Sequence, residues 1–302
     1  MRIGVTVPMA HGEVADGQMT TFAQTADFAS RAERLGLDSI WVFDHLVWRF
    51  DGEPDEGPHE AWTTLSALAA VTPRVELGAL VMCSSFRNAG LMAKMSATLD
   101  DLSGGRLIVG LGCGWHKPEY DAFGLPFDHL VGRFEEDIEV IARLLNGETV
   151  TFEGRWSRYD RAVLLPPPHR RPPILIASKG ERMLRLTAQW AEAWNTAWFG
   201  RVDDMLQGRL RDLNEALDAA GRDPASMRRT VGIRLNEPGE GPGDDGRATD
   251  ADAASLADLF DELESIGFAD TIVWATAKTP AAIERIAQAR EIHLARRTIA
   301  TP

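Results

Sequence analysis

The chain has 302 residues, 44% of them hydrophobic, and its 45 acidic side chains outnumber 32 Lys and Arg for a formal net charge of −13. That is enough apolar material for one large core, and an acid balance that argues against nucleic acid or an anionic membrane as partner while leaving room for a local basic spot. No stretch approaches the ~20 apolar residues of a membrane span, MRIGVTVPM is too short an apolar run for a signal peptide, and two cysteines make no disulfide framework. A reducing cytoplasm is the expected compartment.

Ile3 to Val7 suits a buried strand, and the helical period of Phe22, Ala26, Ala29 and Ala32 predicts a helix over Thr21 to Leu35, stopped by Gly36. Asp38 to Phe43 reads as the second strand, and Trp62, Leu65 and Ala69 as a helix stopped by Pro73. Val75 to Met82 is apolar enough to be buried on both faces, as a parallel strand is when helices cover it. Cys83 to Arg87 is its C-terminal loop. Leu91, Met95, Leu99 and Leu102 then recur at helical spacing up to Gly104 and Gly105, and Arg106 to Leu111 runs as a fourth strand into Gly112-Cys113-Gly114-Trp115. A hairpin is predicted over Thr149 to Tyr159, turning at Gly154, before Pro166-Pro167-Pro168 leads to a fifth strand at Ile174 to Ala177. Trp194 to Trp198, Thr230 to Leu235 and Asp270 to Ala275 complete the strands, separated by helices carrying Leu206, Leu210, Leu213 and Leu217, or Leu256, Phe260 and Leu263. A last helix opens at Thr279 with Pro280 in its first position. Asn236 to Asp252 is rich in Gly, Pro and Asp and has no apolar period. It is expected to be a mobile loop after strand seven, either a lid or a solvated connection.

Strand and helix alternating eight times predicts an α/β fold, a (β/α)8 barrel in a single domain over residues 1–302, with its active site on the loops after the strands. An open doubly wound sheet is the other reading, and differs in a strand order that sequence does not display.

Three clusters fall at strand ends. Asp44-His45 closes strand two. Imidazole titrates near working pH, so His45 is the candidate acid or base, with Asp44 holding the loop or tuning the ring; a purely structural Asp-His turn is the alternative. Ser178-Lys179-Gly180-Glu181-Arg182 follows strand five and opens a helix, whose unpaired amides and positive dipole end suit an anion. Gly180 lets the chain approach a phosphate, and Lys179 and Arg182 add charge; a basic helix start on the surface is the alternative. Gly110-Leu111-Gly112-Cys113-Gly114 is not a dinucleotide fingerprint, because position 115 is Trp115. Cys83 and Cys113 end neighbouring strands, so both thiols are expected in one mouth. Trp48, Trp115 and Trp198 are candidates for an apolar substrate wall, although tryptophan is also common in barrel cores. The other histidines, His11, His59, His116, His129, His169 and His293, are read as solvated. No ligand spacing such as HExxH points to a metal, and no GxSxG to a serine hydrolase.

Taken in order, Asp44-His45, LSGGR at Leu102 to Arg106, GLGCGW at Gly110 to Trp115, PPILIASKGERMLRL at Pro172 to Leu186 and AEAWN at Ala191 to Asn195 carry a resemblance. From Ile3 to about Thr196 the chain resembles the luciferase-like oxidoreductases, which use FMN or the deazaflavin coenzyme F420; beyond that the match is architectural. The resemblance implies that His45 lies beside the reactive ring as acid, base or orienting donor, with Asp44, Cys83, Cys113 and Gly114 near the cofactor. It implies that the cofactor phosphate sits on Ser178 to Arg182, although many relatives carry glycines where this chain has Ala177, Ser178 and Lys179. It implies that the glycines of Gly110 to Gly114 clear room for the ring system, and that Leu80-Val81 is a non-prolyl cis peptide supporting it from behind, an ordinary trans strand being the alternative.

The FMN members tend to carry a His and a Tyr where Leu130 and Phe134 align, which favours F420. The sugar-phosphate dehydrogenases that use F420 have a catalytic Glu where this chain has Trp115, which disfavours that activity. The expected function is therefore hydride transfer between F420 and a small organic substrate. An FMN monooxygenase supplied by a separate flavin reductase and a non-catalytic flavin-binding barrel both stay open, as do an F420 reductase partner and a homodimer.

Overall fold

The computed structural model describes residues 1–14 and 17–300, with side chains through residue 297. In chain order its elements are β1 (Arg2–Thr6), α1 (Phe22–Arg34), β2 (Ser39–Val42), α2 (Ala61–Val71), β3 (Glu76–Ala79), β4 (Met82–Cys83), α3 (Ala89–Leu102), β5 (Leu107–Gly112), α4 (Lys117–Phe123) and α5 (Leu130–Leu145). There follow β6 (Val150–Glu153), β7 (Arg158–Ala162), β8 (Ile174–Ala177), α6 (Glu181–Trp190), β9 (Ala193–Phe199), α7 (Asp204–Ala219), β10 (Arg228–Leu235), β11 (Ala248–Thr249), α8 (Ala253–Ser265), β12 (Asp270–Ala275) and α9 (Pro280–Ala300). Among the described residues β1, β2, β3 with β4, β5, β8, β9, β10 and β12 alternate with helices, the order of a (β/α)8 barrel. No described helix is long and apolar enough to cross a membrane.

The chain divides into two compact units, one of Met1–Trp41 with Trp194–Pro302, the other of Val42–Ala193. In the first, β1 lies parallel between β2 and β12, with Val5 opposite Ile40 and Val273, and β10 flanks β12, with Ile233 also opposite Val273. Ile3, Val5, Trp194, Ile272 and Val273 are fully buried there. Thr21 and Gln24 cap α1 reciprocally, and Gly36 after it takes a φ of +82°.

In the second unit β5 pairs with β3 and β4 on one side and β8 on the other, all parallel. Strand three, expected as one run over Val75 to Met82, is broken into β3 and β4 by a cis peptide at Leu80-Val81. A Cβ at Gly110 would lie 1.9 Å from the carbonyl oxygen of Ala79, and one at Gly112 would lie 2.6 Å from Val81 Cγ2. The space a side chain would take at these two glycines is occupied by the neighbouring strand.

Several expectations shift. On α3 the buried face is Ala89, Met92, Ala93, Ser96 and Leu99, while Leu91 and Leu102 are exposed. Phe22 is likewise exposed, with Phe28 taking its place in the α1 core. In both helices small or polar residues such as Thr25 and Ser96 share the buried face with the large apolar ones, so apolar spacing alone misplaces the stripe. The hairpin runs through to Ala162, and its turn is held by Glu136, whose carboxylate accepts from the backbone N–H groups of Arg155, Trp156 and Ser157. Asn236 to Asp252, expected as a mobile loop, contains β11 paired with β10, and Asp250 accepts from the amides of Gly239 and Gly241. His116 and His293, expected to be solvated, are 4% and 0% exposed, and the buried ring of His293 has a partner at Nδ1, 2.6 Å from Asp261 Oδ1.

Candidate active site

β2 ends at Val42, whose carbonyl accepts from Leu80 N at 2.8 Å, so the chain leaves the sheet with Phe43, Asp44 and His45 beside the end of β3. Asp44 is buried and does not face the imidazole. Its Oδ2 accepts from Cys83 N at 2.9 Å and from Arg87 Nη1 at 2.6 Å, and its Oδ1 accepts from Arg87 Nη2 at 3.0 Å. Arg87 continues to Glu60, which caps α2 through the amides of Trp62 and Thr63. Those amides and Arg87 hold the Glu60 carboxyl below its ordinary range even though burial opposes them. Asp44 therefore fixes the loop, as one of its two expected roles required, and the imidazole is oriented by another residue.

That residue is Glu119. Its side chain is 2% exposed, both carboxylate oxygens lie 3.1 and 3.2 Å from His45 Nδ1, and Oε2 also accepts from Leu46 N at 2.8 Å. Glu119 is delivered by α4, a seven-residue helix with Pro118 in its first turn and Gly124, φ +70°, at its end. The next residue, Tyr120, is fully buried, and its hydroxyl lies 3.0 Å from Cys83 Sγ. Burial pushes the Cys83 thiol up to about 12. Gly114, at φ +80°, packs against this pair, since a Cβ there would fall 1.8 Å from Tyr120 Oη and 2.7 Å from Cys83 Sγ. Cys113 is partly buried, its thiol also raised by burial, and both cysteines are free.

Aromatic rings surround His45. Trp48 lies 5.8 Å away and Trp115 5.6 Å away between ring centroids, Trp48 stacking on Phe43 and Trp115 packing against His116. Trp115 is 61% exposed, so much of its face is open to solvent. His116 Nε2 accepts from Arg49 N at 3.2 Å, and burial lowers the basicity of the ring. Trp198, on β9 of the other unit, follows a cis peptide at Ala197 and lies 5.3 Å from Trp274.

Ser178 to Arg182 stands at the end of β8, separated from β4 by β5. Gly180 is the residue before α6, and among the described residues no side chain caps that helix and a Cβ built on Gly180 meets nothing within 4 Å. The first-turn amides are thus open to an anion, with Lys179 and Glu181 exposed beside them. Ser178 is buried, its hydroxyl 2.8 Å from Thr187 Oγ1. Arg182, expected to aim at a phosphate, is instead paired with Glu135, its Nε 3.0 Å from Oε2, and with Arg185 it holds that carboxyl below its ordinary range. Phe134 is fully buried in the core of α5, and Leu130 opens that helix.

Sequence reasoning missed Glu119, Tyr120 and Arg87. The helix start at Pro118 and the stop at Gly124 are legible signals for α4, but nothing in the chain says that its third and fourth residues turn inward.

The fold is shared with solved structures. An F420-dependent secondary alcohol dehydrogenase, in complex with an F420-acetone adduct, superposes with a TM-score of 0.80 over 97% of this chain and 98% of that one, at 19% identity. Among curated proteins, an F420-dependent glucose-6-phosphate dehydrogenase from Kineococcus radiotolerans is 32% identical over 234 residues, 76% of this chain and 68% of its own length. A phthiodiolone/phenolphthiodiolone dimycocerosates ketoreductase from Mycobacterium kansasii is 34% identical over 65% of this chain and 58% of its own length, so the chain spans about two thirds or less of these relatives. The model of the luciferase-like monooxygenase family matches residues 1–236. The chain belongs to the luciferase-like monooxygenase family, and it is an enzyme of the oxidoreductase class.

Proposed function

We propose that this enzyme transfers hydride between F420 and a small, largely apolar organic substrate, with His45 handling the accompanying proton. The observation that carries the reading is the end of β2, where His45 presents a ring held at Nδ1 by Glu119 and flanked by Trp48 and Trp115. With Nδ1 engaged, Nε2 is the atom left to exchange a proton with substrate oxygen, and a positioned acid or base of this kind contributes about 10² to 10⁴ in rate. Bound F420 would supply a two-electron hydride carrier.

The open first turn of α6, with Gly180 and Lys179, fits the cofactor phosphate. Trp48 and the exposed face of Trp115 exclude water from the reacting atoms once substrate covers them. The relatives named as F420-dependent support the cofactor. A sugar phosphate is disfavoured, because Trp115 occupies the strand-four end and Arg49, the cation following Trp48, is held by Asp55 through its Nε at 2.9 Å.

Titration of the purified protein with F420 and with FMN, followed by fluorescence, tests the reading. Tighter F420 binding is expected. Equal or tighter FMN binding, with oxygen consumption when reduced FMN is supplied, replaces it with a monooxygenase.

A further inference from the structure

We infer that Glu119 is a positioning residue that sets the tautomer of His45, holding the proton on Nδ1 so that Nε2 carries the free lone pair. The inference deepens the proton-transfer role given to His45 and rests on it for its kinetic consequence, but the tautomer itself can be read without cofactor or substrate.

A carboxylate buried to 2% exposure accepts hydrogen bonds and donates none. Leu46 N–H supplies one donor to Oε2, and among the described residues the other group in reach is His45 Nδ1, 3.1 and 3.2 Å from the two oxygens. A bare Nδ1 there would set lone pair against lone pair and leave a buried carboxylate short of a partner, the costly arrangement in a low-dielectric site. A protonated Nδ1 satisfies both.

The surrounding groups do not compete for this role. Asp44 is committed to Arg87 and Cys83 N, and Tyr120 Oη lies against Cys83 Sγ. His116, with its ring centroid 6.3 Å from that of His45, uses Nε2 to accept from Arg49 N. Glu119 also grips the backbone one residue beyond His45 through Leu46 N, so a single buried carboxylate fixes both the ring and its stem. When Nε2 takes up a proton, the imidazolium forms beside a charge already in place, and no group has to reorganise.

The test is a pair of spectra and a pair of variants. Long-range ¹⁵N–¹H spectra of the imidazoles, taken at mildly alkaline pH on the full chain, report which nitrogen carries the proton, and His45→Asn identifies the signals of His45. The wild type should show His45 as the Nδ1–H tautomer. Glu119→Gln has the same shape but offers an amide N–H2 and only one acceptor oxygen, and it should shift His45 toward Nε2–H or a mixture. Its kcat should fall by about 10² to 10⁴ with F420 affinity unchanged, the pattern of a wrongly held tautomer, and Glu119→Asp should recover part of the loss.

An Nε2–H tautomer in the wild type, or an unchanged tautomer in a folded Glu119→Gln, overturns the inference. A shifted tautomer with unaltered kcat would leave Glu119 as the positioning residue and remove His45 from proton transfer, so the two failures are distinguishable.

Discussion

Replacing Arg87 with Ala tests the network that seats the candidate site. The guanidinium gives two hydrogen bonds to Asp44, at 2.6 and 3.0 Å, and one to Glu60 at 2.5 Å. Asp44 is 1% exposed at its side chain, so Arg87→Ala leaves a buried carboxylate with Cys83 N–H as its remaining donor. Breaking a buried pair by removing one partner costs about 3–5 kcal/mol, whereas the link to Glu60, whose side chain is 42% exposed, adds at most about 1 kcal/mol. At roughly 2 °C per kcal/mol for a chain of this size, Tm should fall by about 6 to 10 °C. Guanidinium unfolding followed by tryptophan fluorescence measures the loss directly. The double variant Arg87→Met with Asp44→Asn removes the orphaned charge and should regain more than half of it, since a buried ion pair is often replaceable by neutral groups of similar volume. A cost below about 1 kcal/mol for Arg87→Ala, or a double variant no more stable than the single one, would mean that Arg87 does not compensate a buried Asp44 charge.

His45→Ala should retain F420 affinity and lose about 10² to 10⁴ in turnover; His45→Asn, which keeps a hydrogen bond but cannot titrate, should do little better, and near-normal turnover in that variant across the pH range would end the acid-base role. Gly180→Asp places a carboxylate in the open space before α6 and should weaken F420 binding sharply, while Lys179→Ala costs about 1 to 2 kcal/mol; normal binding by a folded Gly180→Asp chain would put the phosphate elsewhere. Burial on α5 pushes the Asp137 carboxyl up to about 7. The folded chain then keeps a proton that the unfolded chain releases from about pH 4 upward, so the stability this group contributes is full below that range and gone above about pH 7. Asp137→Asn should therefore gain on the wild type in denaturant midpoint between about pH 4 and pH 8, and a difference that stays flat across that interval contradicts the assignment.

How much of this protein is legible in its sequence depends on whether the deciding interaction is local. The eight-fold alternation, the stops at Gly36 and Pro73, and Pro280 opening the last helix follow from backbone preferences and apolar spacing, which each segment carries within itself. The same holds for the position of His45 after β2 and of Gly180 before α6, because the end of a strand and the start of a helix are chain addresses.

Packing across the sheet is not written this way. Gly110, Gly112 and Gly114 are legible as glycines, but that a side chain at each would collide with Ala79, Val81 or Tyr120 follows only from the packing. Leu91 and Leu102 belong to an apolar period, yet Met92, Ala93 and Ser96 are buried with Leu99 while those two leucines face solvent, because which stripe is covered depends on how α3 meets its neighbours. Asp44 adjoins His45 in sequence and turns away to Arg87, while Glu119, 74 residues on, meets the imidazole. Sequence determined which chemical groups lie at the strand ends, since those positions follow from local geometry. Tertiary structure decided which of them touch, since a buried carboxylate must find its donors wherever the fold brings them.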